Sequence, residues 1–168
     1  QLSKRPITAL GEADLKLASK NIIYVMNSGG QPNASSASRL LAVQSAQSGR
    51  NVVLCDTTGQ SEKEIKEKTT AQSSGLNIQN VSDNMSVIIG TSGSSFFTSK
   101  TFKATIKDLA ERFDQVFVCT NTRNNQLGLM ALLEFSPSVV VISGLRKTKK
   151  SDINNLKSRQ HIDLLFYD

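Results

Sequence analysis

The sequence alternates short aliphatic runs with polar loops and helix-like segments, and this alternation most limits how the chain can fold. "NIIYVM" leads through the glycine- and serine-rich stretch "SGGQPNASSAS" into a helix predicted at 37–48, which ends at Gly49, and "NVVLCD" follows. A strand, a helix and a second strand in this order form a right-handed crossover with parallel strands. The sequence therefore predicts a parallel sheet.

The same alternation continues to the end of the chain. Further strands are predicted at 85–89, 116–119, 139–143 and 162–167, and further helices at 9–20, 62–70, 99–112, 127–135 and 151–160. Residues 71–84 are polar and weakly patterned, so a loop or short irregular element is expected there. Together these elements predict an α/β fold of three layers, a mostly parallel sheet with helices on both faces.

Length and composition fit one domain. Residues 1–8 are polar and basic and read as an arm or linker, and the 168-residue chain leaves 9–168 as a single unit. Hydrophobic residues make up 38% and aromatic residues only 5%, so the core is aliphatic. Aliphatic cores are typical of parallel sheets packed between helices.

The charge is basic and unevenly distributed. Twenty Lys and Arg residues against 14 Asp and Glu residues give a net charge of +6, which favours anionic partners such as nucleic acid or acidic lipid. The densest basic run contains Arg146, Lys147, Lys149 and Lys150. This run is either a solvated helix start or a patch that faces anions or a membrane.

Residue types that support catalysis or metal binding are scarce. Cys55 and Cys119 each lie in an aliphatic run, outside any CxxC pair or His/Cys cluster, so we expect reduced core thiols and no metal site. The chain has a single histidine, which gives conventional acid–base chemistry little support. No run approaches the roughly 18 apolar residues that a membrane-spanning helix needs. We predict no catalytic residues.

The loop after the first strand has the position of a phosphate-binding loop but not its residues. When the loop is aligned with the pattern G-x-x-x-x-G-K-[ST], Gly29 occupies the first glycine position and Ala34 the second. Ser35 then occupies the lysine position and Ser36 the hydroxyl position. The missing lysine removes the charge that offsets a transferring phosphoryl group.

Each loop residue also has a structural interpretation. Gly29 and Gly30 could form a tight turn, and Ser35, Ser36 and Ser38 could cap the following helix. A helix start could also retain a weak anion pocket without catalysis.

Two stretches carry a family resemblance. "NIIYVMNSGGQPNASSASRLLAVQSAQSGRNVVLCDTTG" and "DNMSVIIGTSGSSFFTSKTFKATIKDLAERFDQVFVCTNT" together resemble the deviant P-loop ATPases. Most similar are the bacterial tyrosine-kinase domains attached to polysaccharide chain-length regulators, the polysaccharide co-polymerases. The resemblance extends over most of residues 9–168 and implies a P-loop NTPase-like fold.

The resemblance also implies that the family's catalytic residues are mostly replaced. In the family's Asp-x-Asp element, Asp56 retains the first acid and Thr58 replaces the second. Cys119 stands where the Walker B aspartate would follow the strand "QVFV", and Ser35 replaces the lysine. We expect no counterpart of the family's tyrosine-rich tail, since only Tyr167 lies near the end of this sequence.

The resemblance therefore implies a catalytically inactive kinase-like domain that acts by association in exopolysaccharide chain-length control, polymerisation or export. The expected partner is the transmembrane chain-length regulator region of the same or a separate protein, at the cytoplasmic face of the bacterial inner membrane. A homo-oligomer is expected, an anionic lipid surface is a candidate partner, nucleic acid is not favoured, and no cofactor is expected.

Two alternatives remain open. One is a residual nucleotide-binding protein or weak ATPase, which would use ATP and magnesium. The other is a relative of partition ATPases that binds DNA through its basic surface.

Overall fold

A sheet forms the centre of the computed structural model, which describes residues 17–27, 34–60, 77–89, 93–143 and 162–166. Its strands are β1 (Ile22–Asn27), β2 (Val52–Asp56), β3 (Asn77–Ser82), β4 (Met85–Ile89), β5 (Gln115–Cys119), β6 (Ser138–Ser143) and β7 (Ile162–Phe166). The helices are α1 (Ala34–Gln47), α2 (Ser95–Thr98), α3 (Phe102–Arg112) and α4 (Asn125–Leu132). Short 3-10 turns, Thr122–Asn124 and Leu133–Phe135, flank α4.

The described strands follow the order β3-β4-β2-β5-β1-β6-β7 in one seven-stranded sheet. Every pairing is parallel except β3 with β4, which is antiparallel. Parallel neighbours end at the same edge of a sheet, so the carboxyl ends of β1, β2 and β5 meet there. The predicted three-layer, mostly parallel α/β fold is confirmed.

Hydrophobic residues alternate between the two faces of the sheet, because successive side chains of a strand point in opposite directions. On one face, Ile23 and Val25 join a cluster with Leu41 of α1. On the other, Tyr24 and Met26 join the side chains of α2, α3 and α4. All six residues of β1 are buried, as expected for a strand covered on both faces.

Helix α1 ends as the sequence predicts. Gly49 has φ of +91°, in the left-handed region that favours glycine. Its N–H donates to the Ala46 carbonyl at 3.0 Å, and the Arg50 N–H donates to the Ser45 carbonyl at 3.4 Å. These two bonds form the Schellman motif, which turns the chain sharply into β2.

The predictions for two segments were wrong in part. Residues 71–84 were expected to lack regular structure, yet 77–82 form edge strand β3, joined to β4 by the two-residue turn Asp83–Asn84. Helix α1 begins at Ala34 instead of residue 37, so Ser35, Ser36 and Ser38 lie within the helix. The helix-capping interpretation of those serines is therefore also wrong.

Several predicted segments lie outside the described residues. These are the arm at 1–8, the helix at 9–20 except for its last residues, the helices at 62–70 and 151–160, most of the glycine-rich loop, and the basic run. Among the described residues, no helix combines the length and the hydropathy that crossing a bilayer requires.

Candidate functional site

The candidate site lies at the carboxyl ends of β2 and β5, beneath the first turn of α1. Asp56 ends β2 and Cys119 ends β5, and the two residues are direct partners in the parallel register. The thiol of Cys119 donates a hydrogen bond to Asp56 Oδ1 at 3.2 Å. The sheet thus brings together two residues that the sequence analysis assigned to separate motifs, the Asp-x-Asp element and the Walker B position.

Helix α1 contributes Ser35 to the same cluster. The Ser35 hydroxyl donates to Asp56 Oδ2 at 2.6 Å, and Ser35 is fully buried. One turn later, the Ser38 hydroxyl donates to the Ser35 carbonyl at 3.0 Å. The Ser35 hydrogen bond therefore fastens the first turn of α1 to the end of β2.

The loop after β2 folds back onto the same carboxyl group. The backbone N–H of Thr58 donates to Asp56 Oδ1 at 2.9 Å, and the Thr58 hydroxyl donates to the same oxygen at 2.5 Å. The preceding Thr57 donates from its hydroxyl to the Cys119 carbonyl at 2.7 Å. Asp56 is only 2% exposed, so protein donors take the place of water around it.

Burial raises the pKa of the Cys119 thiol well above its ordinary value, and the neighbouring Asp56 charge raises that pKa further. The nearby Ser38 hydroxyl group opposes the shift. The thiol is therefore protonated at neutral pH and acts as a hydrogen-bond donor, which also makes it unreactive as a nucleophile.

The two cysteines do not form a pair. Cys55 faces the helices α2–α4 and Cys119 faces α1, on opposite sides of the sheet, although they lie on adjacent strands. Both are free and buried, which confirms the predicted core thiols. Burial is the main cause that raises the pKa of Cys55 to about 12, with the Asp56 charge adding to it.

The structure brings together four of the predicted site residues, namely Ser35, Asp56, Thr58 and Cys119, and Ala34 precedes Ser35 as the first residue of α1. Ser36, which the sequence analysis placed at the hydroxyl position, is exposed and does not share the burial of Ser35. The earlier start of α1 explains the difference, because it places Ser35 on the inward face of the first turn.

The other predicted positions lie outside the described residues. They are Gly29 and Gly30 of the loop and Arg146, Lys147, Lys149 and Lys150 of the basic run. Within the described part of the chain, no group of three or more His, Cys, Asp and Glu residues is arranged to hold a metal ion.

A second polar group beside the site escaped the sequence analysis. The Tyr24 hydroxyl on β1 lies 2.9 Å from Thr120 Oγ1 and donates to the Asn125 carbonyl at 2.9 Å. The Asn125 side chain in turn donates to the carbonyl of Asn27, the last residue of β1. These bonds fix the end of β1, where the glycine-rich loop begins, to the loop that precedes α4.

Tyr24 sits in this position because Gly128 gives it room. The Tyr24 ring is fully buried, and a Cβ atom at Gly128 would overlap its hydroxyl group. Burial raises the pKa of Tyr24 above its ordinary range. A glycine within a helix and a tyrosine within a strand are too far apart in sequence for any local pattern to link them.

Comparison with known proteins supports the fold. No protein-family model matches the chain, and no curated protein shows significant sequence similarity to it. Among solved structures, the VpsO kinase domain superposes with a TM-score of 0.73 at 14% identity, covering 98% of this chain and 96% of that one. The kinase domain of Escherichia coli tyrosine kinase ETK superposes with a TM-score of 0.67 at 13% identity, covering 93% and 72%.

A plasmid partition protein from Borrelia burgdorferi is also similar. Its TM-score is 0.62 at 17% identity, with 88% of this chain and 77% of that chain covered. At such identities the similarity establishes the fold, which is that of bacterial tyrosine-kinase domains and of partition proteins. The chain therefore has a kinase-like, P-loop type α/β fold.

Proposed function

We propose that this chain is a catalytically inactive, kinase-like domain that acts by protein association in exopolysaccharide chain-length control. The observation that carries the proposal is the hydrogen bond from the Cys119 thiol to Asp56 Oδ1. In P-loop enzymes the nucleotide's magnesium ion is held by a loop hydroxyl and an acid at a strand end. Here a neutral thiol lies beside the single carboxylate of the cluster.

The side chains of the cluster do not fit a magnesium ion. Magnesium prefers hard oxygen ligands at close to octahedral geometry, and a protonated thiol is a poor substitute. Asp56 already accepts hydrogen bonds from Ser35, Thr58 and Cys119, all of which are neutral donors. A cation would have to displace these bonds without gaining a second carboxylate.

The geometry also favours matching the P-loop pattern to this chain one residue earlier than the sequence analysis does. Ser35 is the hydroxyl that faces Asp56, so it corresponds to the magnesium-binding hydroxyl, and Ala34 then stands at the lysine position. Neither register places a lysine at that position. The interpretation of inactivity is therefore independent of which register is chosen.

The cellular role follows from the family resemblance. Two of the structures with this fold are kinase domains, those of VpsO and ETK. We propose that the domain lies at the cytoplasmic face of the bacterial inner membrane, as part of a larger membrane protein or bound to one, and that it forms homo-oligomers there. Its expected partner is the transmembrane chain-length regulator region.

Calorimetry with ATP and magnesium tests the inactivity. We expect no saturable heat, because the cluster offers neither the lysine nor the second acid. The ETK kinase domain, titrated in the same buffer, serves as a control of matched fold. Micromolar, magnesium-dependent binding would overturn the proposal and support the alternative of a residual nucleotide-binding protein or weak ATPase.

Analysis of the exported polysaccharide tests the proposed role in chain-length control. We expect deletion of the chain to alter the length distribution of the exported polysaccharide, and the wild-type chain to restore it. Restoration should also occur with a Cys119→Ser variant, since Ser can still donate to Asp56. An unchanged length distribution after deletion would contradict the role.

A partition-type function is a second candidate, favoured by the superposition on the Borrelia partition protein and by the net charge of +6. Under this alternative the basic surface binds DNA. Binding to non-specific duplex should then weaken steeply with added salt, because phosphate contacts release counterions. Absence of binding at low salt would eliminate this candidate.

A further inference from the structure

The sulfur-containing side chains of this protein differ sharply in their exposure. The chain has two cysteines and three methionines, and all five lie within the described residues. Cys55 and Cys119 are fully buried, Met26 is 1% exposed and Met85 is 3% exposed. Met130, in contrast, is 69% exposed. An oxidant in solution therefore has direct access to one sulfur-containing side chain of the folded protein.

Met130 is exposed because of its position on α4. Leu129 and Leu132 are buried and hold the helix against the sheet. Successive residues of a helix are rotated by about 100°, so Met130 lies on the side opposite to the one that Gly128, Leu129 and Leu132 turn toward the core. The thioether is thus accessible without any opening of the fold.

The core protects the other two methionines. Met26 of β1 belongs to the hydrophobic cluster that includes side chains of α2, α3 and α4. Met85 of β4 lines a pocket beside the β3–β4 turn, but it is packed into the cluster that includes α1. Oxidation of either residue would place a polar sulfoxide in an apolar core, so it requires local unfolding first.

The two thiols do not compete for the oxidant. The thiolate form of cysteine, not the thiol, is the nucleophile that peroxides oxidise. Burial raises the pKa of Cys55 to about 12 and the pKa of Cys119 well above its ordinary value, so both thiols remain protonated at neutral pH. Met130 is therefore the reactive sulfur of the folded chain.

We propose that Met130 is a site of reversible oxidation to methionine sulfoxide by hydroperoxides. With hydrogen peroxide, a lone pair of the thioether sulfur attacks one peroxide oxygen, and the S–O bond forms as the O–O bond breaks. The transferred oxygen gives up its proton to the departing hydroxide, which leaves as water. Sulfur loses two electrons and the peroxide gains them. Reduction by two thiols restores the thioether, with a disulfide and water as the other products.

Oxidation at this position changes the surface and leaves the core intact. Met130 is the most exposed large hydrophobic residue in the described part of the chain, and a sulfoxide makes its side chain polar. Little packing is lost, because most of the side chain is in solvent. No residue of the Asp56 cluster takes part, so the proposal does not depend on whether the domain is catalytically inactive.

Peptide mapping by mass spectrometry tests the proposal on the 168-residue chain. The folded protein is treated with dilute hydrogen peroxide at neutral pH, and the oxygen content of each methionine peptide is followed over time. We expect one oxygen atom to be added at Met130, with Met26 and Met85 oxidised at least about tenfold more slowly because they are buried. Methionine sulfoxide reductases A and B with dithiothreitol should then remove that oxygen, each acting on one sulfoxide epimer.

Two variants and one unfolded sample serve as controls. Met130→Leu keeps an apolar side chain of similar size and should take up almost no oxygen over the same period. Met85→Leu is the matched change at a buried methionine and should still be oxidised at Met130 at the wild-type rate. Wild-type protein in urea should be oxidised at all three methionines at similar rates, because the fold supplies the protection. Circular dichroism verifies that both variants are folded.

Oxidised wild-type protein should keep the circular dichroism spectrum and the urea midpoint of the untreated protein, and a lower midpoint would contradict a change confined to the surface. Comparable oxidation of Met26 or Met85 in the folded chain would overturn the proposal, and so would resistance of Met130 to the oxidant. A sulfoxide at Met130 that both reductases leave in place would refute its reversibility. If Met85→Leu does not fold, the three oxidation rates in the wild-type protein still decide the outcome.

Discussion

At the scale of residues, the chemistry of the candidate site depends on one carboxyl group and the donors around it. Asp56 accepts hydrogen bonds from a hydroxyl on α1, from the loop after β2 and from a thiol on β5. A buried carboxylate without donors would be costly, so the cluster must be satisfied for the domain to fold. The residues of this cluster can thus be retained for stability alone.

Exchange of Ser35 for Ala should lower the free energy of unfolding by about 1.5–3 kcal/mol, because hydrogen bonds to charged groups are worth roughly that much. Ser36→Ala is the matched control, since Ser36 is exposed in the same turn, and its effect should stay within about 0.5 kcal/mol. Urea unfolding followed by circular dichroism measures both. Equal losses in the two variants would show that the Ser35 bond to Asp56 does not stabilise the fold.

The residues of this cluster were partly predictable. Asp56, Thr58 and Cys119 follow aliphatic runs, so their place at strand ends could be read from the sequence. Which serine faces Asp56 could not, because the start of α1 depends on loop residues with weak helical preference. A shift of one residue rotates a side chain by about 100° around a helix and decides whether it is buried.

At the scale of elements, α4 is held against β1 by the fit between Tyr24 and Gly128. The helix approaches the strand closely because Gly128 lacks a side chain, and the Tyr24 hydroxyl then reaches the Asn125 carbonyl at the start of the helix. This arrangement sets the position of the loop between β5 and α4.

Gly128→Ala should therefore destabilise the protein by about 1–3 kcal/mol, as overpacking in a closely packed core does. The added methyl group would overlap the Tyr24 hydroxyl and approach its ring. In a double-mutant cycle measured by thermal unfolding, Tyr24→Phe should recover part of the loss, because it removes the nearest atom. Additive effects of the two changes would contradict direct contact between these residues.

Edge strand β3 shows where element prediction fails. Its sequence "NIQNVS" is polar because only one side of the strand packs on the core, through the half-buried Ile78. Hydrophobic periodicity is weak in such strands, since an edge strand has solvent on one side and pairs with a single neighbour. The Asp83–Asn84 turn was the available signal, because both residue types favour turns.

At the scale of the whole molecule, the central strands β1, β2 and β5 are buried on both faces, and this burial places ionisable side chains in the core. Cys55, Cys119 and Tyr24 all have a pKa raised by burial. In the unfolded chain a thiol ionises near pH 8.5. The folded state retains its protons to higher pH than the unfolded state does.

Stability should consequently fall as pH rises. The contribution of each buried thiol is fully present below about pH 8.5 and is lost at about 1.4 kcal/mol per pH unit above it, up to the raised pKa of the folded state. For Cys55 that limit is about 12. Urea unfolding at pH 7, 8.5 and 9.5 measures the loss.

A variant with Cys55→Ala and Cys119→Ser supplies the control, because neither replacement ionises in this range. Its free energy of unfolding should decline less between pH 8.5 and 9.5 than that of the wild type. Identical slopes in the two proteins would show that the thiols do not cause the alkaline loss.

The sequence by itself determined every described strand except β3, the burial of the central strands on both faces and the burial of both thiols. These properties depend on residues close together in the chain. A hydrophobic period of two residues in a strand, or of 3.6 residues in a helix, indicates which side is apolar. Tertiary structure alone decided that Ser35 meets Asp56, 21 residues away, that Cys119 meets Asp56, 63 residues away, and that Tyr24 requires a glycine in α4. Such contacts arise from strand order and helix position, which no local pattern specifies.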